Sequence, residues 1–430
     1  APLQNRGWLD QAYRDRTAPS VFGKASDLDY PPALQFGKGT SSSKDEEIGI
    51  RAIRKHGVVT PPSSVDDRGA YIHVVETEES PIGEARSSFG KELIQALKYL
   101  GLPLKVEPHT VPATENAVRR VATSIAQSMP SNNSNTENQP CTDQTVADGA
   151  IFVMPNHRSD LYKCWKQATV QRGLPNQVIQ HSTLNNKWAI DNIALGLAAK
   201  MGGVPYVLKD ALPYTDRVVG LDIGRRKKQR TRGTMSVAAS AHLYAADGRL
   251  LQYCIEDASI EGEKVPPHVL RRIFPEELYG NQRVLIHRDG PFRGREVTTL
   301  RELANEIDAT FQLVEVRKQG AARLYQFDSN QTTQAAKGDY FKLDDRTAFL
   351  VSSPPPSDYS TARPLHVKVR SDALSIEEAL HSVLSLTLVH HGSVRSPRLP
   401  VTLHYADRIA ERLQNGIRPP NRTGKRPYWL

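Results

Sequence analysis

Val218-Val219-Gly220-Leu221-Asp222-Ile223-Gly224 is an apolar run of strand character that carries one carboxylate between two glycines. It then breaks into Arg225-Arg226-Lys227-Lys228-Gln229-Arg230-Thr231-Arg232, with six positive charges. The pattern predicts a strand that ends at the acid. A second run, Val284-Leu285-Ile286-His287-Arg288-Asp289-Gly290, repeats the arrangement. Two apolar strands, each ending in Asp beside Gly in basic surroundings, point to carboxylates gathered to hold hard metal ions next to a polyanion. Either acid alone reads more readily as a strand-end turn residue or a helix cap.

The flanking pattern gives these strands a frame. Arg217 to Leu221, Thr234 to Tyr244 and Arg249 to Ile255 read as three successive strands, the last two joined by the turn Ala246-Asp247-Gly248. A helix from Val265 to Leu278 leads to the Asp289 strand, and a helix from Thr298 to Ile307 leads to a strand from Thr310 to Val316. After a long loop come strands near Ala348 to Val351 and Leu365 to Val369, then helices Ser375 to Leu386 and His404 to Leu413. Three antiparallel strands, a helix and another acid-bearing strand is the order of an RNase H-like sheet.

Upstream, strand and helix alternate, which predicts an α/β unit with a mostly parallel sheet. Strands are expected at Tyr71 to Val75, Ala150 to Met154 and Asn176 to His181. Helices are expected at Ser87 to Leu100, with Leu93, Ile94, Leu97 and Leu100 on one face, at Asp160 to Gly173, capped by Ser159 or Asp160, and at Lys187 to Met201. Residues 130 to 147 read as a polar loop. Residues 1 to 68, punctuated by Pro31-Pro32 and Pro61-Pro62, read as an irregular linker wrapped on other domains. The second unit begins near Val204.

A chain of 430 residues, 39% hydrophobic and 24% charged, is long enough for two or three soluble domains. No stretch approaches the roughly 18 apolar residues of a membrane helix, and Ala1 to Arg16 lacks the apolar centre of a signal peptide. The absent initiator Met suggests a chain processed, excised or split from something larger. Net charge is +9, a modest excess on which nucleic-acid binding could not be argued alone. Cys141, Cys164 and Cys254 fit neither a disulfide framework nor a zinc spacing, so a reducing cytoplasm is the simplest location.

Two-metal phosphodiester cleavage needs several carboxylates converging on cations about 3.5–4 Å apart. Beyond Asp222 and Asp289, Glu256 at the end of the third strand is a candidate, with Asp257, Glu261 and Glu263 competing for its place. Asp407, near the start of the last helix, is a fourth. Taken singly, Glu256 reads as a solvated acid and Asp407 as an N-terminal helix charge favoured by the dipole.

Val219-Gly220-Leu221-Asp222, Arg288-Asp289-Gly290 and Leu403-His404-Tyr405-Ala406-Asp407, in that order, resemble the catalytic segments of the PIWI domain of Argonaute proteins. Tyr162-Lys163-Cys164-Trp165-Lys166, Gln177-Val178-Ile179-Gln180 and Leu197-Ala198-Ala199-Lys200-Met201-Gly202-Gly203-Val204 resemble their MID domain, and Pro31 to Gly37 the linker before it. The resemblance implies an α/β protein: a linker (1–68), a Rossmann-like MID domain (69–203) and an RNase H-like PIWI domain (204–430). The family's long members carry further N-terminal and PAZ domains, for which this chain has no room. It therefore looks like a short prokaryotic Argonaute or the C-terminal half of a split or cleaved long one.

The resemblance further implies that Asp222, Glu256, Asp289 and Asp407 bind two Mg²⁺ or Mn²⁺ ions and cleave a target strand paired to a guide oligonucleotide, DNA or RNA. Tyr162, Lys166, Gln177 and Lys200 would hold the guide's 5′ end. Tyr162 and Lys166, four apart on a helix, share a face; Tyr162 could stack on a base, and Lys166, Lys200 and Gln177 could meet the phosphate. The carboxylate of Leu430 would join through a third ion. Gly196 departs from relatives that place a lysine there, which leaves 5′-hydroxyl guides open. Each of these residues also has a plain structural reading as packed or solvated. Arg225, Arg226, Arg293 and Arg295 are candidate backbone contacts, or simply a solvated basic edge. Two other functions compete: a guided binding module that works with a partner chain, and an unguided RNase H-type nuclease.

Overall fold

The structure is a computed structural model that describes residues 22–39, 50–62, 69–78, 84–129, 147–227, 234–261, 265–328, 331–355 and 361–430. The polar stretch at 130–146, the basic tail 228–233, Cys141 and Glu263 lie outside the described residues.

The smaller sheet has four parallel strands: β1 (Ala70–Thr77), β2 (Leu104–Val111), β3 (Gly149–Met154) and β4 (Asn176–Gln180), in the order β2-β1-β3-β4. Every residue of β3 is buried, as expected for a parallel strand covered on both faces. Strand β2 lies at an edge, the position that tolerates Pro108.

Helices α1 (Glu84–Tyr99), α2 (Glu115–Gln127), α3 (Ser159–Val170) and α4 (Ala189–Lys200) flank the sheet. Among the described side chains of α1, Phe89, Leu93, Ala96 and Leu97 are buried, Phe89, Leu93 and Leu97 one turn apart, with Leu100 just beyond the helix; Ile94, expected on that face, is 44% exposed. The sequence reading missed β2 and α2. The N-cap of α3 is Arg158, whose guanidinium is held by Asp160 at 2.8 Å, so neither Ser159 nor Asp160 caps it. The expected helix from Lys187 begins only at Ala189, after a separate 3₁₀ turn, His181–Asn185.

The larger sheet is built on β5 (Arg217–Lys227), β6 (Thr234–Ala245) and β7 (Leu250–Glu261), successive and antiparallel. Strands β8 (Arg283–Asp289) and β9 (Thr310–Arg317) add parallel to β5. Then come β12 (Leu365–Val369), β11 (Thr347–Leu350) and β10 (Tyr340–Asp344). Two-residue strands, Phe22–Gly23 and Thr423–Gly424, close the edges. The region expected as a long loop thus contains β10, and also a hairpin of Tyr325–Asp328 with Gln331–Gln334.

Strand β5 does not end at Asp222. It continues to Lys227 because β6 pairs along it, past a register shift at Gly224/Arg225. The helix expected from Val265 to Leu278 is two: α5 (Pro267–Ile273) and α6 (Glu276–Tyr279), interrupted at Pro275, whose ring cannot supply the helical N–H. Helix α7 (Glu296–Glu306) follows β8. After α8 (Ile376–Ser385), helix α9 runs Val401–Gln414 behind Pro400, so Asp407 is mid-helix and not near the start.

Helix α9 lies directly on β5. A Cβ at Gly220 would collide with the Thr402 carbonyl, so only glycine permits this approach. His287 on β8 ties the layers together: Nδ1 is 2.9 Å from Thr402 Oγ1 and Nε2 is 3.0 Å from Ser382 Oγ on α8. The segment upstream of β1 is stitched onto both sheets' surroundings. Leu34–Gln35 pairs with Val207–Leu208, and the helix Ile50–His56 buries Ile50, Ala52, Ile53 and His56. Among the described residues no helix is long and apolar enough to cross a membrane.

Candidate functional site

Three of the four predicted acids meet. The parallel register of β5 and β8 pairs Leu221 with Arg288, which brings Asp222 and Asp289 side by side where β8 ends. Gly220 lets α9 settle on β5 and presents Asp407 to the same point. One carboxylate oxygen from each lies within 4.8 Å of the others. Asp222 is buried; the Asp289 and Asp407 side chains are 18% and 38% exposed, so the cluster opens to solvent.

A residue the sequence reading missed sits among them. Lys318 Nζ donates to Asp289 Oδ2 at 2.8 Å and to both oxygens of Asp407, at 2.5 and 2.6 Å. Burial pushes the Asp407 carboxyl up to about 6; Lys318 opposes that rise, and the charges of Asp289 and Asp222 add to it. Burial works against the Lys318 ammonium, yet the two carboxylates outweigh it and hold Lys318 above its ordinary value. Its position was a usable signal: it follows β9 at the carboxyl end of the parallel strands, where sites in such sheets gather.

Buried charges fix the strand that carries Asp289. Arg288 and Glu296 form an almost fully buried pair at 3.4 Å. Glu296 also accepts from the backbone N–H groups of Val265 and Arg293, and Arg288 donates to the Asp289 carbonyl at 2.7 Å. Next door, buried Glu315 takes Arg317, Arg370 and the Phe292 N–H.

Glu256 is not in the carboxylate group. Strand β7 carries on past it to Glu261, and its Oε2 is 3.3 Å from Arg272 and 3.8 Å from Arg422. Arg225 and Arg226 lie on β5 with side chains outside the described set, as are those of Asp257 and Glu261. Arg295 is exposed and 3.8 Å from Glu302; the Arg293 backbone, as above, binds Glu296.

The second constellation forms a cavity of about 440 Å³ between the sheets. Tyr162 and Lys166 of α3, Gln177 of β4 and Leu430 line it, as predicted residues. So do Arg395, Arg408 and Arg412, which the sequence reading missed. Arg408 and Arg412 are one turn apart on α9, a spacing that could have singled them out. Arg412 and Lys166 lie 5.4 and 6.0 Å from the Tyr162 ring centre.

Lys200 sits beneath, donating to the Gln177 side-chain oxygen, which leaves the Gln177 amide nitrogen as a donor. Lys166 donates to the Asn176 carbonyl at 3.4 Å. Both ammonium groups are buried. Burial, then Arg412, lowers Lys200 to about 7; burial, then Lys200 and Arg412, lowers Lys166 well below its ordinary value. The chain's last residues are docked against this wall: Trp429 stacks on His242 at 5.0 Å and meets Tyr253 and Tyr405 edge-on. A cluster of cations whose lining holds no Asp or Glu side chain, only the terminal carboxylate of Leu430, and which is roofed by an aromatic ring, suits a phosphate joined to a base.

Residues 149–418 match the family model described as Piwi domain. The chain is 27% identical over 361 residues to a protein argonaute of Aquifex aeolicus, covering 80% of this chain and 48% of that one. It is 30% identical over 266 residues to a protein argonaute of Thermus thermophilus, covering 59% and 37%. It superposes with a TM-score of 0.73, at 19% identity, on Clostridium butyricum Argonaute bound to a guide DNA and a 19-mer target DNA, covering 93% of this chain and 54% of that one. The chain therefore spans about half the length, or less, of these relatives.

Proposed function

The chain belongs to the Piwi-domain family, and on that premise we propose that it is the guide-holding and target-cutting part of a nucleic-acid-guided endonuclease. In this reading residues 1–68 are a linker, 69–203 hold the guide's 5′ end, and 204–430 carry the nuclease site. The observation that carries it is the convergence of Asp222, Asp289 and Asp407.

The donor set suits hard divalent cations, being all carboxylate oxygen and open on one side. Lys318, bonded to two of the acids, already puts positive charge where a cation would bind. Asp222, Asp289 and Asp407, with Glu256 once it leaves Arg272 and Arg422, would hold Mg²⁺ or Mn²⁺. When bound, two such ions supply an activated water and neutralise charge at the scissile phosphate.

The protein's own groups do the remaining work. Arg288 and Glu296 hold the β8 end that carries Asp289, and Gly220 sets the separation of α9 from β5. Tyr162 stacks on the guide's first base. Lys166, Lys200, Gln177, Arg408 and Arg412 hold its 5′-phosphate, and Leu430 with a third ion completes that grip. Base pairing selects the target, while Arg225, Arg226, Arg293 and Arg295 line the backbone path.

The test is a loaded short guide, a labelled complementary strand and Mn²⁺. A single cut at a fixed distance from the guide's 5′ end is expected, and Asp289→Ala should slow it more than about 100-fold. A variant that cuts as fast as the parent sinks the assignment.

A second reading is guided binding without cleavage, in company with a partner chain. One observation favours it: the Lys318 ammonium is bound to two of the acids. It predicts tight, guide-dependent target binding with no product at any Mn²⁺ concentration, and a second chain in the purified complex.

A further inference from the structure

A second group of metal-type donors lies at the far edge of the smaller sheet, on β2, away from β4 and the pocket that Gln177 lines. Strands β1 and β2 run parallel with His73 opposite Glu107 and Val75 opposite His109. Glu107 and His109, two apart on one strand, share a face, and His73 on the neighbouring strand shares it with them. His73 Nδ1 is 2.8 Å from His109 Nε2, and the rings stack with centres 5.1 Å apart. Glu107 reaches both, its oxygens 3.9 Å from His73 Nδ1 and 3.9 Å from His109 Nε2. One donor from each residue lies within 4.8 Å of the others.

The plain alternative is an ordinary histidine–histidine hydrogen bond. His73 is 4% exposed, and its Nε2 is buried without a hydrogen-bond partner. Such a bond must also place a proton between two nitrogens that both face a carboxylate. A cation would instead take a lone pair from each ring, with the protons left on His73 Nε2 and His109 Nδ1. The His109 and Glu107 side chains are 27% and 38% exposed, which leaves room for water as a further ligand.

We propose that His73, Glu107 and His109 form a zinc site that fastens the edge strand β2 to β1. Two imidazoles and one carboxylate suit Zn²⁺, whereas Mg²⁺ and Mn²⁺ favour oxygen. Zn–N bonds of about 2.0–2.1 Å in tetrahedral geometry put the nitrogens roughly 3.3 Å apart. The rings must therefore part by roughly half an ångström, a movement that an edge strand paired on one side can make. The site is independent of the nuclease reading and of the guide pocket.

The test uses the full chain, tag-free and chelator-stripped, with Asp222→Asn and Asp289→Asn to remove the competing carboxylates. Calorimetric titration with Zn²⁺ should show one equivalent bound. Co²⁺ should give the visible absorption of a four-coordinate nitrogen–oxygen site, and Zn²⁺ should raise the melting temperature. His73 is buried, so His109→Ala and Glu107→Gln, at the exposed edge, carry the test. Each should weaken Zn²⁺ binding by about tenfold or more, with circular dichroism unchanged, and His109→Ala should abolish the cobalt spectrum. Absence of stoichiometric zinc binding, or equal affinity in both variants, overturns the proposal.

Discussion

Lys318 shows what one residue contributes to the carboxylate cluster. Its ammonium is shared by Asp289 and Asp407, and hydrogen bonds to charged groups are worth about 1.5–3 kcal/mol. Removing it leaves three carboxylates facing one another. Lys318→Met should therefore lower the melting temperature in EDTA by several degrees, and saturating Mn²⁺ should recover most of the loss. A variant that melts like the parent in EDTA would show that Lys318 is incidental. Lys200 supports a pH prediction. Its pKa, lowered to about 7, means that raising pH through 7 strips its charge. Affinity for a 5′-phosphorylated guide should fall roughly tenfold between pH 6.5 and 8.5. A 5′-hydroxyl guide should not show the fall, and Lys200→Gln should abolish it; anisotropy with labelled guides reads both. At this scale Asp222, Asp289 and Asp407 were legible as candidates because each stands in a short apolar segment, whereas Glu256, read in the same way, stands apart on Arg272 and Arg422. Lys318, Arg408 and Arg412 left fainter signals, a place after a parallel strand and a one-turn spacing, because what a cation does depends on what the fold brings opposite it.

Helix α9 is the element that joins the two constellations. It presents Asp407 to the acids and Arg408 and Arg412 to the pocket, while Thr402 rests on Gly220 and bonds to His287. Gly220→Ala must push the helix off β5. Overpacking of this kind costs about 1–3 kcal/mol, and Asp407 should lose register with Asp222 and Asp289. Weaker Mn²⁺ binding together with a lower melting temperature is expected; unchanged metal affinity would mean that α9 is not positioned by this contact. The succession β5, β6, β7, β8 and β9 could be read because period and turn residues agree, whereas β10 falls in a stretch that reads as loop. The end of β5 could not, since what continues it past Asp222 is pairing with β6, a tertiary fact. Strand β2 hid because Pro108 and charged residues suit an edge but obscure the alternation. Helix α2 did carry readable signals, a Thr114 cap and buried Val118, Ala122 and Ile125, which went unused.

The whole molecule is held together at several joints by neutral histidines. His242 on β6 stacks on Trp429, His287 links β8 to α8 and α9, and His391 donates through Nε2 to the Tyr206 carbonyl. Burial lowers His242 and His287 to about 3, and lowers His391 to about 4 against the opposing Tyr206 carbonyl. An unfolded chain takes up protons at these residues near pH 6.5; the folded chain resists until about pH 3–4. Between those limits the unfolded state binds more protons, so stability falls as pH falls. The slope is about 1.4 kcal/mol per pH unit for each histidine, or about 4 for the three together. Asp407 runs the other way: with a folded value near 6 it takes up its proton before the unfolded chain does, and returns part of the loss below pH 6. One partly exposed carboxyl cannot offset three buried imidazoles. The urea midpoint should therefore change little above about pH 7 and drop with growing slope from there to pH 5. Burial also lowers His390 to about 3 and His404 to about 4, so His287→Gln, which can bond to both Thr402 and Ser382 without titrating, should flatten that dependence by about a fifth. A midpoint that stays level from pH 7 to 5.5 would mean that these joints open to solvent and protonate in the folded protein.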